Sequence, residues 1–308
     1  MRPKTSSQPI NQQSGADRAG VTAALAAYIF WGLAPLYFKA IQEVPALEII
    51  VHRILWSIPL LAAFLLFRDG RRFFERMRLP PKTVAMLLLS GVLVVTNWLI
   101  FVWAVTHGQV MATSLGYFTG PLVNFLLGFL FLSERLTRIQ SLGVLIAASG
   151  TVYLGWFLGV PPWISLGLAF SFGFYGLIRK KLDVGPMVGL LWETLLLALP
   201  ALGYLLWSAS RQTLAFGTMG VGTDILLLLA GPVTTLPLIW FNVAARSLRL
   251  STLGFFQYIA PSMTFLMSVF LFGEVFTQGH AVAFGCIWIA LAMVSTESVL
   301  RSRRLRAA

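Results

Sequence analysis

Long apolar stretches separated by short polar connections run through nearly the whole chain. Each stretch is about 20 residues long, the length at which an α-helix crosses the hydrocarbon core of a bilayer. The pattern predicts ten transmembrane helices, over residues 21–39, 49–67, 83–105, 111–132, 138–156, 160–178, 187–207, 222–245, 251–272 and 278–296. The chain is 57% hydrophobic and 11% charged, with a mean hydropathy of +0.81. These values are typical of an all-α polytopic membrane protein and not of a water-soluble one.

The second half of the chain repeats the first at a nearly constant offset. One offset carries Gly32 onto Gly173. A second offset, shorter by a single residue, carries Pro121 onto Pro261. The same two offsets relate further pairs: Lys39 and Lys180, Gly91 and Gly231, and Glu134 and Glu274. Coincidences of glycine, proline and acidic residues within apolar segments indicate duplication of one structural unit.

Ten helices in two repeats give five helices to each repeat, so the second repeat enters the membrane from the opposite face. The halves are therefore expected to be inverted, with a pseudo-two-fold axis in the membrane plane, as in many secondary transporters. We expect a disordered cytoplasmic arm (residues 1–20), a first five-helix repeat (21–156), a second five-helix repeat (157–297) and a basic cytoplasmic tail (298–308).

The basic residues gather on one side of the predicted membrane. Twenty of the 23 lysines and arginines fall in alternate connections or at the two ends, whereas Arg211 alone lies in an opposite-side loop. Cytoplasmic connections carry such an excess, so both termini are expected in the cytoplasm. The net charge of +12 is thus a signal of topology, and we expect no nucleic-acid partner.

The fourth predicted helix has one face with little side-chain bulk. Gly116, Gly120 and Asn124 recur there at every fourth position, a spacing that lets helices approach closely in a bilayer. Pro121 in this helix and Pro261 in the ninth are expected to bend or break their helices. Close packing alone would explain the pattern, and a hinge beside a central cavity is the functional alternative.

The polar and aromatic side chains within the predicted spans favour the functional alternative, a central cavity. Trp98 lies in the middle of its predicted span, where a role in the interfacial aromatic belt does not apply. The residues expected to line a substrate site are Tyr37, His52, Arg53, Trp98, Tyr117, Asn124, Tyr175, Gln257 and Tyr258.

Ionisable residues within the predicted spans are few. A charged side chain at the centre of a membrane helix costs about 2.5–3.5 kcal/mol, so such residues are candidates for function. Arg53 is expected to hold an anionic part of a substrate, while His52 and Glu193 are candidates for proton coupling. Snorkelling or a buried structural ion pair is the alternative for each. Glu134 and Glu274 lie at helix boundaries, which favours a structural role for both.

Several segments of the chain resemble one known family. They are residues 31–39 (WGLAPLYFK), 48–57 (EIIVHRILWS), 97–99 (NWL), 115–118 (LGYF), 121–124 (PLVN), 168–177 (LAFSFGFYGL) followed by RKK, and 249–258 (RLSTLGFFQY). With these segments the chain resembles the drug/metabolite transporter superfamily, which has two EamA-type repeats, and within it the RarD-like permeases. The resemblance extends over the whole chain.

The resemblance implies a transporter of the bacterial inner membrane. Its expected activity is the export of small metabolites, amino-acid-like or drug-like, by alternating access, driven by the substrate gradient or by proton exchange. A flippase for lipid-linked or amphiphilic molecules would share the architecture and remains an alternative.

A membrane enzyme is a third class, but the three histidines are scattered and no cluster of nucleophile, base or metal ligands is evident. We therefore expect no catalytic residues, no cofactor and no metal. The expected partners are a small-molecule substrate and the lipid bilayer, with a homodimer left open.

Overall fold

The protein is a bundle of α-helices, with no strand among the residues that the structure describes. The structure, a computed structural model, describes residues 10–133, 135–159, 162–248 and 256–307. The helices are α1 (Ile10–Ala40), α2 (Ala46–Asp69), α3 (Arg72–Arg76), α4 (Pro81–Thr106), α5 (Val110–Leu132), α6 (Arg138–Leu158), α7 (Trp163–Lys181), α8 (Pro186–Ser210), α9 (Val221–Ser247), α10 (Ile259–Phe270) and α11 (Gln278–Ala307).

Eight helices in the described part of the chain are long and apolar enough to cross a membrane. They are α1, α2, α4, α5, α6, α8, α9 and α11. The sixth and ninth predicted spans correspond to α7 and α10, which are not among the eight, and α10 is an apolar helix of only 12 residues. The chain is thus polytopic, and the count of ten spanning helices stays a prediction.

The first and last helices extend beyond the predicted spans. α1 begins at Ile10, so residues 10–20 of the expected arm belong to a helix. α11 continues to Ala307 through the expected basic tail. Extending an existing helix adds one hydrogen bond for each residue ordered, whereas starting a new helix is costly. The division of the chain into arm, repeats and tail stays a prediction.

The main helix contacts bring distant parts of the chain together. α2 packs against α8 and α9, and α4 packs against α7 and α8. α5 packs against α7 and α10, and α6 packs against α11. Residues of the early and late helices therefore meet in the interior of the bundle.

Glycine makes several of these contacts close. A Cβ atom on Gly116 of α5 would lie 2.9 Å from the carbonyl oxygen of Ser165 on α7. On Gly150 of α6 it would lie 2.6 Å from the Cβ atom of Cys286 on α11. Only glycine allows the helices to approach so closely at these points, as is common in membrane bundles. By contrast, a Cβ atom on Gly120 would meet no atom within 4 Å.

The two prolines expected to disturb helices have different settings. Pro121 lies within α5, which continues through it from Val110 to Leu132. Pro261 lies in the first turn of α10, just after a turn at Gln257 and Tyr258. Proline is tolerated in a first turn because the N–H that it lacks would have no partner there. The expected interruption is therefore seen before Pro261 and not at Pro121.

Side-chain caps fix the starts of α6 and α11. Thr137 and Gln140 form a capping box, in which the Thr137 hydroxyl accepts from the Gln140 amide and the Gln140 side chain accepts from the Thr137 amide. Thr277 and His280 repeat this arrangement at the start of α11, where the Thr277 hydroxyl accepts from the His280 amide at 3.4 Å.

Two acidic residues outside the helix centres bind backbone amides. The Glu48 carboxylate accepts from the amides of Ala215 and Phe216, in the connection between α8 and α9. The Glu274 carboxylate accepts from the amides of Val110 and Met111 at the start of α5. Burial raises the pKa of Glu274, and the two amides oppose that rise. The structural role expected for Glu274 fits these contacts, whereas Glu134 lies outside the described residues.

Candidate functional site

Arg53 lies on the buried face of α2, where that helix packs against α8 and α9. Residues Glu48–Ile54 are all buried, so the side chain of Arg53 extends into the bundle and is only 8% exposed. Its Nε donates to the Thr234 hydroxyl on α9 at 3.0 Å. Within the described residues, no carboxylate lies within ion-pair distance of this guanidinium.

Aromatic rings surround the guanidinium of Arg53. Its Cζ atom lies 4.4 Å from the centre of the Trp98 ring and 5.3 Å from that of Phe38. Phe101 packs edge-on against Phe38, and Tyr117 packs against Phe101, each with ring centres 5.8 Å apart. Such faces stabilise a cation by cation–π attraction. We refer to Phe38, Arg53, Trp98, Tyr117 and Thr234 as the Arg53 cluster.

Asn97 joins three helices beside this cluster. Its side-chain nitrogen donates to the Leu168 carbonyl and to the Ser171 hydroxyl on α7, each at 3.0 Å. Its side-chain oxygen accepts from the Tyr117 hydroxyl on α5 at 3.2 Å. Tyr37 is anchored in a similar way, since its hydroxyl donates to the Leu226 carbonyl at 2.6 Å. The expected residues Tyr37, Arg53, Trp98 and Tyr117 are thus brought together.

His52 precedes Arg53 but has different surroundings. Its Nδ1 accepts from the Trp56 indole at 3.0 Å, and its ring lies 5.0 Å from that of Phe216. Its Nε2 is buried and has no hydrogen-bond partner in the described structure. His52 is 2% exposed, so it is packed between an indole and an aromatic ring.

Glu193 forms a second polar cluster, on α8. One carboxylate oxygen accepts from the Ser90 hydroxyl on α4 and lies 3.7 Å from Nη1 of Arg179 on α7. The other oxygen is buried without a hydrogen-bond partner among the described residues. Tyr175, also an expected site residue, interacts with this carboxylate. We refer to Ser90, Tyr175, Arg179 and Glu193 as the Glu193 cluster.

Gly189 makes room for the arginine of that cluster. A Cβ atom at this position would overlap Nη1 of Arg179, and no side chain could be accommodated there without moving the guanidinium. Arg179 therefore crosses α8 over the bare backbone of Gly189 and reaches Glu193 one turn further on. In the sequence, Arg179 is one of three adjacent basic residues with nothing to distinguish it. Its pairing with Glu193 was therefore not predicted.

The two sides of α5 face different environments. Thr119, Leu122 and Val123 line an open, mostly apolar groove of about 480 Å³, together with residues of α6 and α7. At 3.6 residues per turn, Tyr117 and Asn124 lie on the opposite side of α5. Asn124 is exposed although it lies in the middle of the helix. Its polar side chain therefore has open space on the side of α5 that carries Tyr117.

The remaining expected residues lie elsewhere. The Tyr258 ring stacks 6.2 Å from that of Phe118, in an apolar cluster with Phe284 of α11. This cluster is separate from the one that holds Phe38 and Phe101. Gln257 lies half-buried in the turn before α10.

Sequence reasoning missed Phe38 and Thr234 as partners of Arg53. Both are residue types that occur throughout membrane helices, and only the relative register of α1, α2 and α9 places them at the guanidinium. A buried arginine within a span was the one signal that could have prompted a search for hydroxyl and aromatic partners.

The chemistry available in the Arg53 cluster is that of binding. A desolvated guanidinium with hydroxyl and aromatic neighbours suits recognition of an anion. Among the described residues there is also no group of three or more His, Cys, Asp or Glu side chains that could hold a metal ion.

Comparison with known proteins gives the family. Residues 18–156 match the EamA-like transporter family. Protein RarD of Salmonella typhimurium is 47% identical over 93% of this chain and 98% of its own length. An uncharacterized transporter of Pseudomonas aeruginosa is 44% identical over 94% of this chain and 97% of its own.

The same helical fold occurs in a solved crystal structure. It aligns with a TM-score of 0.60 over 92% of this chain and 98% of its own, at 18% sequence identity. Similarity at this level concerns the fold alone. The helical fold, the family match and the relatives together define a polytopic membrane transporter. The chain belongs to the drug/metabolite transporter superfamily and is a RarD-like permease.

Proposed function

We propose that the protein is a secondary transporter of the bacterial inner membrane that exports small metabolites, amino-acid-like or drug-like, by alternating access. The observation that carries this proposal is the Arg53 cluster. It holds a buried cation without an acidic partner among the described residues, between helices from both halves of the chain. Intramembrane arginines in such positions mark substrate pathways.

We further propose that the chain forms two inverted five-helix repeats. Contacts that recur at the repeat offset support this arrangement. A Cβ atom on Gly32 would lie 2.7 Å from the sulfur of Met263, and one on Gly173 would lie 3.0 Å from the side chain of Val123. The repeat offset carries Gly32 onto Gly173 and Val123 onto Met263, so one contact is the image of the other.

The contact between α6 and α11 supports the same axis. Gly143 faces Ala290, while Gly150 faces Ala283. The offset that relates Pro121 to Pro261 also carries Gly143 onto Ala283 and Gly150 onto Ala290. The contact of Gly143 with Ala290 and the contact of Gly150 with Ala283 are therefore related by the repeat. A contact that maps onto itself in this way is what a two-fold axis between the helices would produce.

Inverted repeats provide the conformational change that transport needs. Two halves of the same fold can exchange their slightly different shapes, which opens a central site first to one side and then to the other. The Arg53 cluster includes residues of α1, α2, α4, α5 and α9, so relative motion of the halves would change access to it. Gly116, Gly120, Pro121 and Pro261 are the proposed hinge or packing positions.

We propose Glu193 as the group that couples transport to protons. Its carboxylate has one unpartnered oxygen and an arginine at 3.7 Å, so protonation would weaken the ion pair and free Arg179. His52 is the less suitable of the two candidates because it is enclosed by Trp56 and Phe216.

A flippase is the second candidate function. The apolar groove on the outer side of α5, about 480 Å³, is a lateral opening of the kind that an amphiphile would need. The groove lies on the side of α5 opposite Tyr117, so a chain bound in it would not contact the Arg53 cluster. For this reason we favour the export of metabolites.

Cysteine labelling in transport-competent protein tests the site. In a Cys286→Ala background, Tyr117→Cys and Asn124→Cys should react with a polar thiol reagent in proteoliposomes. Val152→Cys, on the exposed groove side of α6, is the matched control and should react only with a membrane-permeant apolar reagent. Failure of both α5 variants to react with the polar reagent, as expected for Val152→Cys, would show that α5 is packed without an aqueous cavity.

Counterflow of a labelled metabolite mixture through the same proteoliposomes tests the activity. Exchange above that of protein-free vesicles is expected. An imposed pH gradient should drive net accumulation by the wild-type protein but not by Glu193→Gln, while exchange at equal pH continues in both. A pH-driven accumulation that survives in Glu193→Gln would remove Glu193 from the coupling mechanism.

A further inference from the structure

The donors of Arg53 are incompletely used by the protein. Of its three guanidinium nitrogens, only Nε makes a hydrogen bond among the described residues, to Thr234. The two terminal nitrogens make none, yet neither is among the fully enclosed unpartnered atoms of the structure. Each of them therefore has some solvent-accessible surface, and together they present the paired donors that match a carboxylate.

Arg179 shows how the protein treats an arginine that it pairs internally. Arg179 lies 3.7 Å from the Glu193 carboxylate and also donates to the Val184 carbonyl at 3.3 Å. Arg53 is the more buried of the two side chains but has neither kind of partner. A buried unpaired charge is strongly unfavourable, so an external anion would supply the missing partner.

The surroundings of Arg53 limit the charge of that anion. The ionisable groups that interact electrostatically with Arg53 are the phenols of Tyr37 and Tyr117, and a phenol carries no charge near neutral pH. Lys39, on α1, interacts instead with Glu274 and with the Phe272 ring. The cluster thus offers one positive charge, which balances one negative charge and would leave a dianion uncompensated in an apolar site.

The surroundings also select the body of the ligand. Trp98 and Tyr117 are only partly buried, and Phe38 and Phe101 form the wall behind them. Exposed aromatic surface next to free guanidinium donors favours a ligand with a planar or apolar part attached to its anionic group. Polar acceptors for further hydrogen bonds are limited, because Asn97 and Tyr37 are already bonded within the bundle.

We propose that Arg53 binds the carboxylate of a monoanionic cargo through its two terminal nitrogens, with the apolar part of the cargo against Trp98 and Tyr117. This assignment rests on the proposed transport function and names its substrate class as small monocarboxylates with a planar apolar body. Phosphate esters and neutral analogues of the same shape are excluded from the class.

Three probes of one shape test the assignment. Benzoate, benzamide and phenyl phosphate share a ring and differ in the charge of the head group. Benzoate should raise the melting temperature of the purified full-length protein in nanodiscs, whereas benzamide and phenyl phosphate at equal concentration should not. Stabilisation by benzamide or by phenyl phosphate that equals or exceeds that by benzoate, or no stabilisation by benzoate, would each overturn the proposal.

Two substitutions connect the probe to Arg53. Arg53→Gln removes the charge and should weaken benzoate binding at least tenfold. Arg53→Lys keeps the charge without the paired donors and should also weaken benzoate binding about tenfold. This variant still tests the assignment if the glutamine variant does not fold. Arg211→Gln, at an exposed helix end, is the matched control and should bind benzoate like the wild type. Unchanged affinity in a folded Arg53→Lys protein would contradict bidentate binding.

Counterflow of labelled benzoate separates this assignment from the transport function. If benzoate binds at Arg53 but neither benzoate nor the labelled metabolite mixture exchanges across the vesicle membrane, the assignment of the binding site is retained and the transporter proposal fails. If exchange of carboxylates is unchanged in Arg53→Gln, the transporter stands and the assignment of Arg53 fails.

Discussion

At the scale of single residues, the Arg179–Glu193 pair has an energetic consequence that can be measured. Glu193→Gln removes the carboxylate and leaves Arg179 without its ionic partner, although its side chain is only 12% exposed. Breaking a buried pair on one side costs about 3 kcal/mol, while replacing both partners is often nearly neutral. The double variant Arg179→Gln/Glu193→Gln should therefore be more stable than Glu193→Gln alone.

Thermal unfolding of the wild type, both single variants and the double variant completes a mutant cycle for this pair. Additive losses of stability in the double variant would show that the two charges do not stabilise each other across their distance of 3.7 Å.

At the scale of helices, α5 contains a matched pair of glycines one turn apart. Gly116→Ala would place a methyl group 2.9 Å from the Ser165 carbonyl oxygen and 3.0 Å from Leu168, whereas Gly120→Ala meets open space. We expect Gly116→Ala to destabilise the protein by about 1–3 kcal/mol through overpacking. Gly120→Ala should instead stabilise α5 by roughly 0.5–1 kcal/mol. Equal melting temperatures of the two variants would mean that α5 and α7 separate freely.

Glu274 links the connection after α10 to the start of α5, and its pKa gives that link a pH dependence. Because burial raises the pKa of Glu274, the folded protein binds this proton more tightly than the unfolded chain does. Stability therefore increases as pH falls through the raised pKa and is lost as pH rises through it. Glu274→Gln lacks this titration, so its melting temperature relative to the wild type should increase toward higher pH.

Melting curves of wild type and Glu274→Gln at a series of pH values test this expectation. Glu43→Gln, at an exposed position after α1, provides the control. Parallel curves for wild type and Glu274→Gln would show that the Glu274 carboxylate titrates as it does in the unfolded chain.

Local features of the helices could be predicted from the sequence, and contacts between helices mostly could not. α4 and α5 begin and end within two residues of the predicted spans, because hydropathy sets where a helix can cross a membrane. The Thr137 cap is a local feature of the same kind, since its partner Gln140 is only three residues away. The environments of Arg53 and Arg179 depend on the register of helices far apart in sequence, which hydropathy does not determine.

The partly successful grouping of site residues has the same cause. The sequence predicted Tyr117 and Tyr258 beside one cavity, although the offset that relates Pro121 to Pro261 carries Phe118, and not Tyr117, onto Tyr258. The structure places Tyr117 near Phe101 and Tyr258 near Phe118. Neighbouring residues on one helix, such as Tyr117 and Phe118, face different clusters, so a difference of one repeat position is enough to separate Tyr117 from Tyr258.

At the scale of the whole molecule, the proposed inverted repeats make a prediction about topology. Reporter fusions after Arg78 and after Arg301 should indicate the cytoplasm, and a fusion after Gly159 should indicate the periplasm, because the basic residues lie in the connections near the first two. The measurement is paired phosphatase and fluorescence activity in cells. A periplasmic signal from the fusion after Arg301 would exclude an even number of spans with both termini inside.

The lack of a side chain at Gly189 has a consequence for mutagenesis of the chain. Even alanine would place its methyl carbon on top of the Arg179 guanidinium, so this end of the flexible arginine side chain must move and its position beside Glu193 must change. In a saturation screen scored by membrane abundance, position 189 should therefore accept fewer substitutions than Gly185, where a Cβ atom meets open space. Equal tolerance at the two positions would contradict this expectation. A position that carries no side chain would then control the placement of an arginine from another helix, and a survey of polar residues would overlook it.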